Sequence, residues 1–263
     1  MAAHKLISRR FAIPGVPVFM YHDVCATAAA GNRYRLPLAM FSEQLAFLRE
    51  QGFAVEALDA LAGNSNGDRV VLTFDDGLSS HYERVFPALL GQGLTATFFV
   101  TTALLGTSGY LGWSQLREMS EAGMTIGSHG HQHIDYSGLE AGAARRELHL
   151  SRASLEDGLG KPAFTFSAPY GFLSRALIES ARQAGFHWIC SSIPWLAAAD
   201  ATVVSRLAVY HDTDVPRFSA LARGCALPLL ARRIRNALLY IPKQLLRRGA
   251  PELLGVRVRQ EIE

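Results

Sequence analysis

The stretch Val70-Val71-Leu72-Thr73-Phe74-Asp75-Asp76-Gly77 joins an apolar run to two adjacent carboxylates and a glycine. The run is typical of a buried strand, which we predict over Val70–Phe74. Two neighbouring like charges repel, so a strand end accepts them where a cation neutralises them or where one carboxylate acts as a base. Helix capping is the alternative, but it needs only one aspartate. Gly77 lets the backbone turn, so that both carboxylates can face the end of the strand.

Strand-like and helix-like segments alternate along the chain. The predicted strands are Pro17–Tyr21, Val70–Phe74, Thr95–Val100, Met124–Ile126, Phe164–Phe166, Phe186–Cys190 and Leu207–Val209. The predicted helices are Phe41–Gln51, Tyr82–Leu90, a segment capped by Ser114 that ends at Ala122, Leu139–Asp157 and Ser174–Ala184. Alternation of this kind predicts an α/β fold with a parallel sheet, open or closed. In a (β/α) barrel, residues that directly follow strands gather around one mouth.

Three histidines in the segment Ser128-His129-Gly130-His131-Gln132-His133 follow a predicted strand. On a continuing strand all three would face one way and make a three-histidine site. In a loop, which Gly130 favours, His129 and His133 could bind a metal while His131 points elsewhere. One carboxylate with two imidazoles suits zinc, and cobalt or nickel would also fit.

Two other histidines are candidate proton donors. His22 follows the first predicted strand, and His211 follows the last one with Asp212 beside it. For either histidine, the alternative is a solvated loop residue.

The charge of the chain is unevenly distributed. The net charge is +3, yet the segment from Val215 to Pro251 has eight basic residues and no acidic residue. Apolar residues recur in it at helical spacing: Leu227, Leu230, Ile234, Leu238 and Ile241. This tail would either pack on the barrel or contact an anionic membrane or carrier. We expect no nucleic-acid partner.

Domain organisation and location follow from composition. We interpret residues 1–15 as an N-terminal extension, 16–224 as one catalytic barrel and 225–263 as the basic amphipathic C-terminal tail. The three cysteines, Cys25, Cys190 and Cys225, lack metal-type spacing, and we find no secretory signal. We therefore expect a cytoplasmic protein that can lie peripherally at the inner face of the membrane.

At these residues the sequence resembles the polysaccharide deacetylases, carbohydrate esterase family 4, also called the NodB homology family. The motifs that carry the resemblance are Thr73-Phe74-Asp75-Asp76-Gly77, Ser128-His129-Gly130-His131-Gln132-His133 and Phe166-Ser167-Ala168-Pro169-Tyr170-Gly171. The resemblance runs from about residue 16 to about residue 218. Met20-Tyr21-His22 resembles the start of a subgroup that includes deacetylases of exported polysaccharide.

The resemblance implies a distorted (β/α) barrel and a role for each motif residue. Asp75 would be the general base, and Asp76, His129 and His133 would bind one divalent metal. Pro169 and Tyr170 would contact the substrate, with the Tyr170 N–H steadying the oxyanion.

Three positions depart from the family pattern. Ser167 stands where the third motif often has arginine, and Pro194 stands where the fourth motif has aspartate before Trp195. The histidine of the fifth motif, a proton donor, should follow Leu207 by three residues, where Tyr210 stands and His211 comes one place late. We therefore assign the proton donor to His22.

These residues predict a metal-dependent N-deacetylase. Its substrate would be an N-acetylhexosamine of a glycan, or one on a lipid or nucleotide carrier, in envelope or exopolysaccharide synthesis. One alternative is a catalytically weak glycan-binding relative, which would bind saccharide without releasing acetate. Another is an amidohydrolase that acts on a different acyl group, with all three histidines on the metal.

Overall fold

The apolar run that precedes Asp75 forms a strand, Arg69–Phe74, in which every residue is buried. We describe the molecule with a computed structural model that covers residues 12–27, 31–63 and 68–248, with side chains through residue 238. In chain order the strands are β1 Val18–Tyr21, β2 Asp23–Cys25, β3 Arg35–Pro37, β4 Ala54–Glu56, β5 Arg69–Phe74, β6 Thr97–Val100, β7 Thr125–Ser128, β8 Thr165–Ser167, β9 Trp188–Cys190, β10 Val203–Val204 and β11 Leu207–Ala208.

The main sheet is parallel and curled. Its strand order is β10-β9-β8-β7-β6-β5-β1-β11, and β4 pairs with β5 as well. The register places Thr73 of β5 beside Met20 of β1 and beside Thr97 of β6. Strands β2 and β3 form a separate parallel pair. As a result, the carboxyl ends of the main strands meet at one mouth, as the alternation of elements predicts.

The two edges of this sheet lie close together. Strands β10 and β11 are at opposite ends of the strand order, yet only Ser205 and Arg206 separate them in sequence. So short a connection spans at most about 11 Å. The sheet therefore curls so that its two edge strands approach each other, and Arg206 lies in the seam between them.

Helices cover the outside of the sheet. They are α1 Leu38–Glu50, α2 Phe86–Leu90, α3 Trp113–Glu121, α4 Ala141–Leu159, α5 Arg175–Gln183, α6 Val215–Ala222 and α7 Ala226–Arg248. The main core joins Phe41, Leu45 and Leu48 of α1 to Leu72 and Phe74 of β5. Together these elements form a single domain.

Several helices differ from the sequence predictions: α1 begins at Leu38, three residues before Phe41, and the predicted helix Tyr82–Leu90 is a π-helical turn, His81–Val85, followed by α2. Helix α3 is capped by Gly112, not Ser114, because the Gln115 side chain accepts a hydrogen bond of 2.8 Å from the Gly112 N–H. Helix α6 was not predicted, although it has a conventional start: the Asp214 side chain accepts a hydrogen bond from the Arg217 N–H.

The described part of the predicted C-terminal tail, residues 225–248, consists almost entirely of helix α7. Its buried residue Leu229 joins the main core. Just before the helix, the backbone of Cys225 forms an isolated antiparallel β-bridge with Ala12. Residues 1–11 and 249–263 lie outside the described chain, as does the side chain of Ile241. Of the helices described, none is both long and apolar enough to cross a membrane. All three cysteines are free.

Candidate active site

Asp76, His129 and His133 come together at the mouth of the barrel. One carboxylate oxygen, Asp76 Oδ1, lies 3.3 Å from His129 Nε2 and 3.3 Å from His133 Nε2. The three candidate ligand atoms all lie within 4.8 Å of one another. One carboxylate and two imidazoles at this spacing form a site that a divalent metal could occupy.

The backbone is strained where it presents these groups. Among the residues described, the non-glycine positions with left-handed φ are Asp76 at 78°, His133 at 54° and Tyr170 at 61°. Such conformations cost about 1–3 kcal/mol each and persist where the surrounding structure enforces them. All three lie in the segments that form the site, which indicates that strain here serves function.

His129 is oriented for metal binding by the next strand. The ring is buried, and its Nδ1 lies 2.8 Å from the carbonyl oxygen of Ser167. A carbonyl can only accept a hydrogen bond, so Nδ1 carries the proton and Nε2 keeps a free lone pair. The tautomer therefore fits a cation between His129 and Asp76.

His131 belongs to the loop, not to the ligand cluster. Its Nδ1 lies 2.9 Å from Thr102 Oγ1, away from Asp76. The backbone N–H groups of His131 and Gln132 donate to the carboxylate of Glu147 at 3.2 and 3.1 Å. Strand β7 ends at Ser128, so the loop geometry anticipated from Gly130 is the one observed, and not the three-histidine strand.

Asp75 is held by a buried arginine. Arg206 donates to its two carboxylate oxygens at 2.6 and 2.7 Å, and the exposed fraction is 0% for Arg206 and 3% for Asp75. The same guanidinium donates to Ser167 Oγ at 2.8 Å and, through Nε, to the Ser191 carbonyl at 3.1 Å. A bidentate pair of this kind fixes the position of the carboxylate as well as its charge.

Arg206 fills the place that Ser167 leaves empty. Ser167 stands where the third motif often has arginine, and Arg206 was not among the site residues predicted from the sequence. The structure supplies a guanidinium from the seam between β10 and β11, and the small Ser167 side chain leaves room for it. A signal was present in the sequence: Arg206 is a lone charge between the apolar pairs Val203-Val204 and Leu207-Ala208.

The two aspartates are both kept ionised. Burial alone would raise the pKa of Asp75, but the adjacent Arg206 and His129 lower it, and the net pKa lies below the usual carboxyl range. Burial would likewise raise the pKa of Asp76, while its contacts with His129 and His133 hold it well below that range. The repulsion expected from adjacent carboxylates is therefore offset by separate partners, Arg206 for Asp75 and the two imidazoles for Asp76.

His22 lies beside the cluster, whereas His211 does not. The His22 ring contacts the Tyr34 ring with centroids 4.4 Å apart, and its buried Nδ1 has no hydrogen-bond partner within the described chain. Burial lowers the pKa of His22, and the negative charge of Asp76 acts against that shift. His211 is exposed, and its backbone N–H donates to the Arg33 carbonyl.

The third motif, from Phe166 to Gly171, lines the site on the side of His133. Pro169 is buried in a short 3₁₀ turn, and Tyr170 is 57% exposed with its ring 5.3 Å from that of His133. Gly171 is obligatory in this turn, because a Cβ on it would overlap the side chain of Ser192. Trp195, from the fourth motif, packs instead on the core, and Arg233 of α7 stacks on its ring at 4.6 Å.

Known proteins with similar sequences include deacetylases. The family model described as polysaccharide deacetylase matches residues 62–189. YxkH of Bacillus subtilis (strain 168) is 26% identical over 191 residues, which are 70% of this chain and 67% of that protein.

Solved structures share the fold. The deacetylase PplD of Streptococcus pyogenes, in complex with acetate, has a TM-score of 0.74 at 21% identity and covers 80% of this chain and 98% of its own. IcaB from Ammonifex degensii has a TM-score of 0.70 at 28% identity and covers 81% of this chain and 98% of its own.

Residues 62–189 carry a polysaccharide deacetylase domain of carbohydrate esterase family 4, and the relatives and solved structures named above are similar to the chain around that domain. Enzymes of this family are hydrolases that act on carbon–nitrogen bonds other than peptide bonds. Deacetylases of this family are generally metal-dependent, and Asp76, His129 and His133 form the corresponding candidate site.

Proposed function

We propose that this protein removes the acetyl group from an N-acetylhexosamine of a glycan or carrier-linked sugar during envelope or exopolysaccharide synthesis. One observation carries the proposal: the cluster of Asp76, His129 and His133 lies directly beside Asp75, an ionised carboxylate that Arg206 holds in place. The similarity of Met20-Tyr21-His22 to deacetylases of exported polysaccharide supports this substrate class.

The cofactor we propose is one zinc ion, with cobalt or nickel as substitutes. The donor set of Asp76, His129 and His133 fits these ions, and the protonated Nδ1 of His129 leaves its Nε2 free to bind. When bound, such an ion supplies Lewis-acid polarisation of the acetyl carbonyl and lowers the pKa of a water molecule.

Asp75 is the general base in this mechanism. As water attacks the acetyl carbonyl carbon, a carboxylate oxygen of Asp75 accepts the proton that the water loses. Arg206 keeps Asp75 charged before the reaction and holds it in one position. The negative charge that develops on the carbonyl oxygen would be met by the backbone N–H of Tyr170.

His22 is the proposed proton donor to the leaving amine. The carbon–nitrogen bond breaks as the tetrahedral intermediate collapses, which releases acetate and needs one proton on the amine. Burial makes the imidazolium of His22 a stronger acid than in water, and His22 is close enough to Asp76 for that carboxylate to counter the effect.

Acetate release tests this function. N-acetylated oligosaccharides, nucleotide sugars and lipid-linked sugars would be supplied to the wild-type protein and to Asp75→Asn. We expect release from at least one substrate class and its loss in the variant. Saccharide binding with no release from any substrate would instead favour the glycan-binding alternative, and release of a different acyl group would identify another amidohydrolase.

We also propose that α7 attaches the protein to an anionic membrane from the cytoplasmic side. One face of the helix packs on the barrel: Leu229 is buried, and Arg232 donates to the Ala208 carbonyl at 2.6 Å. The opposite face exposes apolar side chains by 82%, 44%, 60% and 67% at Leu227, Leu230, Ile234 and Leu238. Exposed Arg233 and Arg235 flank this stripe, and no acidic residue occurs between Val215 and Pro251.

An apolar stripe edged by arginines complements a surface of acyl chains and anionic headgroups. Sedimentation with vesicles of phosphatidylglycerol and phosphatidylcholine tests the attachment, with phosphatidylcholine alone for comparison. Ile234→Ser/Leu238→Ser should reduce binding by at least tenfold, since each leucine or isoleucine contributes about 1.5–3 kcal/mol when buried. Leu150→Ser, a control at a residue 51% exposed on α4, should bind as the wild type does. Equal binding by the double variant would overturn the role of α7.

A further inference from the structure

A group of aromatic and cationic side chains extends from the active site towards α7. His22 contacts the Tyr34 ring at 4.4 Å, and Tyr34 contacts the Tyr210 ring at 5.4 Å. The guanidinium of Arg33 lies 3.7 Å from the centre of the Tyr210 ring, and that of Arg232 lies 5.7 Å from it. Tyr210 is therefore shared by two arginines that come from distant parts of the sequence.

The two positive charges lack an acidic partner in the part of the chain described. Neither Arg33 nor Arg232 takes part in a salt bridge there, and the nearby Asp212 is paired with Arg217 at 3.0 Å. Burial lowers the pKa of Arg232; Tyr210 and Asp212 act against that shift, and the charge of Arg33 adds to it. Stacking on a tyrosine face stabilises each guanidinium, but it does not neutralise either charge.

This group is also near the reacting centre. Tyr34 separates it from His22, and the Asp76 carboxylate is close enough to contribute, after burial and Tyr210, to raising the pKa of the Tyr34 phenol. Half-buried tyrosines could stack against a sugar ring, while guanidinium groups favour phosphate oxygens. A sugar with its acetyl group at the metal cluster would therefore extend along the tyrosines towards the arginines.

We propose that Arg33, Tyr34, Tyr210 and Arg232 form a subsite for a phosphate on the anomeric carbon of the substrate sugar. The substrate is then a hexosamine phosphate or diphosphate, carried by a lipid or a nucleotide, and not a neutral polymer. This inference rests on the proposed deacetylase function and specifies its substrate class.

Two substrates that differ only in the phosphate test the inference on the intact, metal-loaded protein. N-acetylglucosamine 1-phosphate is compared with methyl N-acetylglucosaminide by the kcat/KM for acetate release. We expect the phosphate to be preferred by the wild type, by about tenfold to a hundredfold, because a charge-assisted hydrogen bond is worth that much.

Arg33→Ala should remove this preference by lowering kcat/KM for the sugar phosphate far more than kcat/KM for the methyl glycoside. Arg232→Gln should reduce the preference too, and it keeps a side chain able to donate to Ala208. The control Arg145→Ala, at an exposed position on α4, should behave as wild type. An undiminished preference in Arg33→Ala, or equal use of both substrates by the wild type, would overturn the proposal.

The carrier and the function are tested separately. A uridine diphosphate sugar and a farnesyl diphosphate sugar distinguish a nucleotide carrier from a lipid carrier. If no substrate releases acetate, the proposed function fails, and calorimetric titration with glucosamine 1-phosphate still decides on the subsite. Binding that weakens at least tenfold in Arg33→Ala supports the subsite, and equal binding overturns it.

Discussion

Arg206 binds both carboxylate oxygens of Asp75 across the seam of the barrel, at 2.6 and 2.7 Å, with both side chains buried. The pair is separated by 131 residues in sequence and joins the short connection between the edge strands to the end of the central strand β5. It therefore couples the approach of the two sheet edges to the position of Asp75, the proposed general base.

The first prediction concerns this pair. Arg206→Met should lower the free energy of unfolding by about 3–5 kcal/mol, because it leaves Asp75 charged and buried without a partner. Urea unfolding at pH 7 measures the loss. In Arg206→Met/Asp75→Asn the uncompensated charge is gone, so the double variant should be more stable than Arg206→Met alone. A double variant that is as unstable as the single one would mean that packing, and not charge, dominates.

The second prediction concerns how the unfolding free energy depends on pH. Protonation of Asp75 should destabilise the wild type and stabilise Arg206→Met. The pKa of Asp75 is lowered in the folded wild type, so the stability from the ionised pair is complete above the ordinary aspartate pKa of about 3.9 and is lost as the pH falls through the folded value. Without Arg206, burial raises the pKa of Asp75 above its ordinary value, and protonation removes the buried charge. The difference in unfolding free energy between wild type and Arg206→Met should thus shrink as the pH falls from 7 towards about 3.9, measured with metal removed from both. A constant difference would contradict the charge argument.

The third prediction separates the adjacent aspartates. Asp75→Asn should retain bound metal and lose activity by about 10²–10⁴, the usual range for loss of a general base. Asp76→Asn should lose metal, because it removes the only carboxylate of the ligand cluster. Metal content by mass spectrometry, read beside acetate release, checks both. Metal loss from Asp75→Asn with retention in Asp76→Asn would reverse the assignment.

The fourth prediction separates the histidines. His133→Ala should weaken metal binding strongly, whereas His131→Ala should leave it nearly unchanged, since His131 contacts Thr102 and not Asp76. Titration of the metal-free proteins with zinc gives the two affinities. A comparable loss in His131→Ala would restore the three-histidine interpretation.

The fifth prediction concerns the turn that presents Asp76. Gly77 has φ 73°, and a Cβ there would lie 2.9 Å from Val100 Cβ. Gly77→Ala should therefore cost more than left-handed strain alone, which is about 1–2 kcal/mol. Gly52→Ala is the matched control, because Gly52 has φ 72° and open space around it. Thermal unfolding should show the larger loss for Gly77→Ala, and equal losses would show that contact with Val100 is unimportant.

Much of the architecture could be predicted from local patterns. The strand before Asp75, the glycine-ended helices and the alternation of elements follow from hydrophobic periodicity and chain stops, which are properties of neighbouring residues. The small strand pair β2–β3 and helix α6 were missed, because segments so short carry too little periodic signal.

What the sequence alone determined was the chemistry available to the protein: two aspartates at a strand end, histidines spaced for a loop, and a basic tail. The tertiary structure decided how those groups are used. Ring closure placed Arg206 on Asp75, the left-handed turns aimed Asp76 and His133 at one point, and packing turned His131 towards Thr102. These outcomes depend on contacts between residues far apart in the chain, whose geometry is fixed only when the sheet curls and its two edges meet.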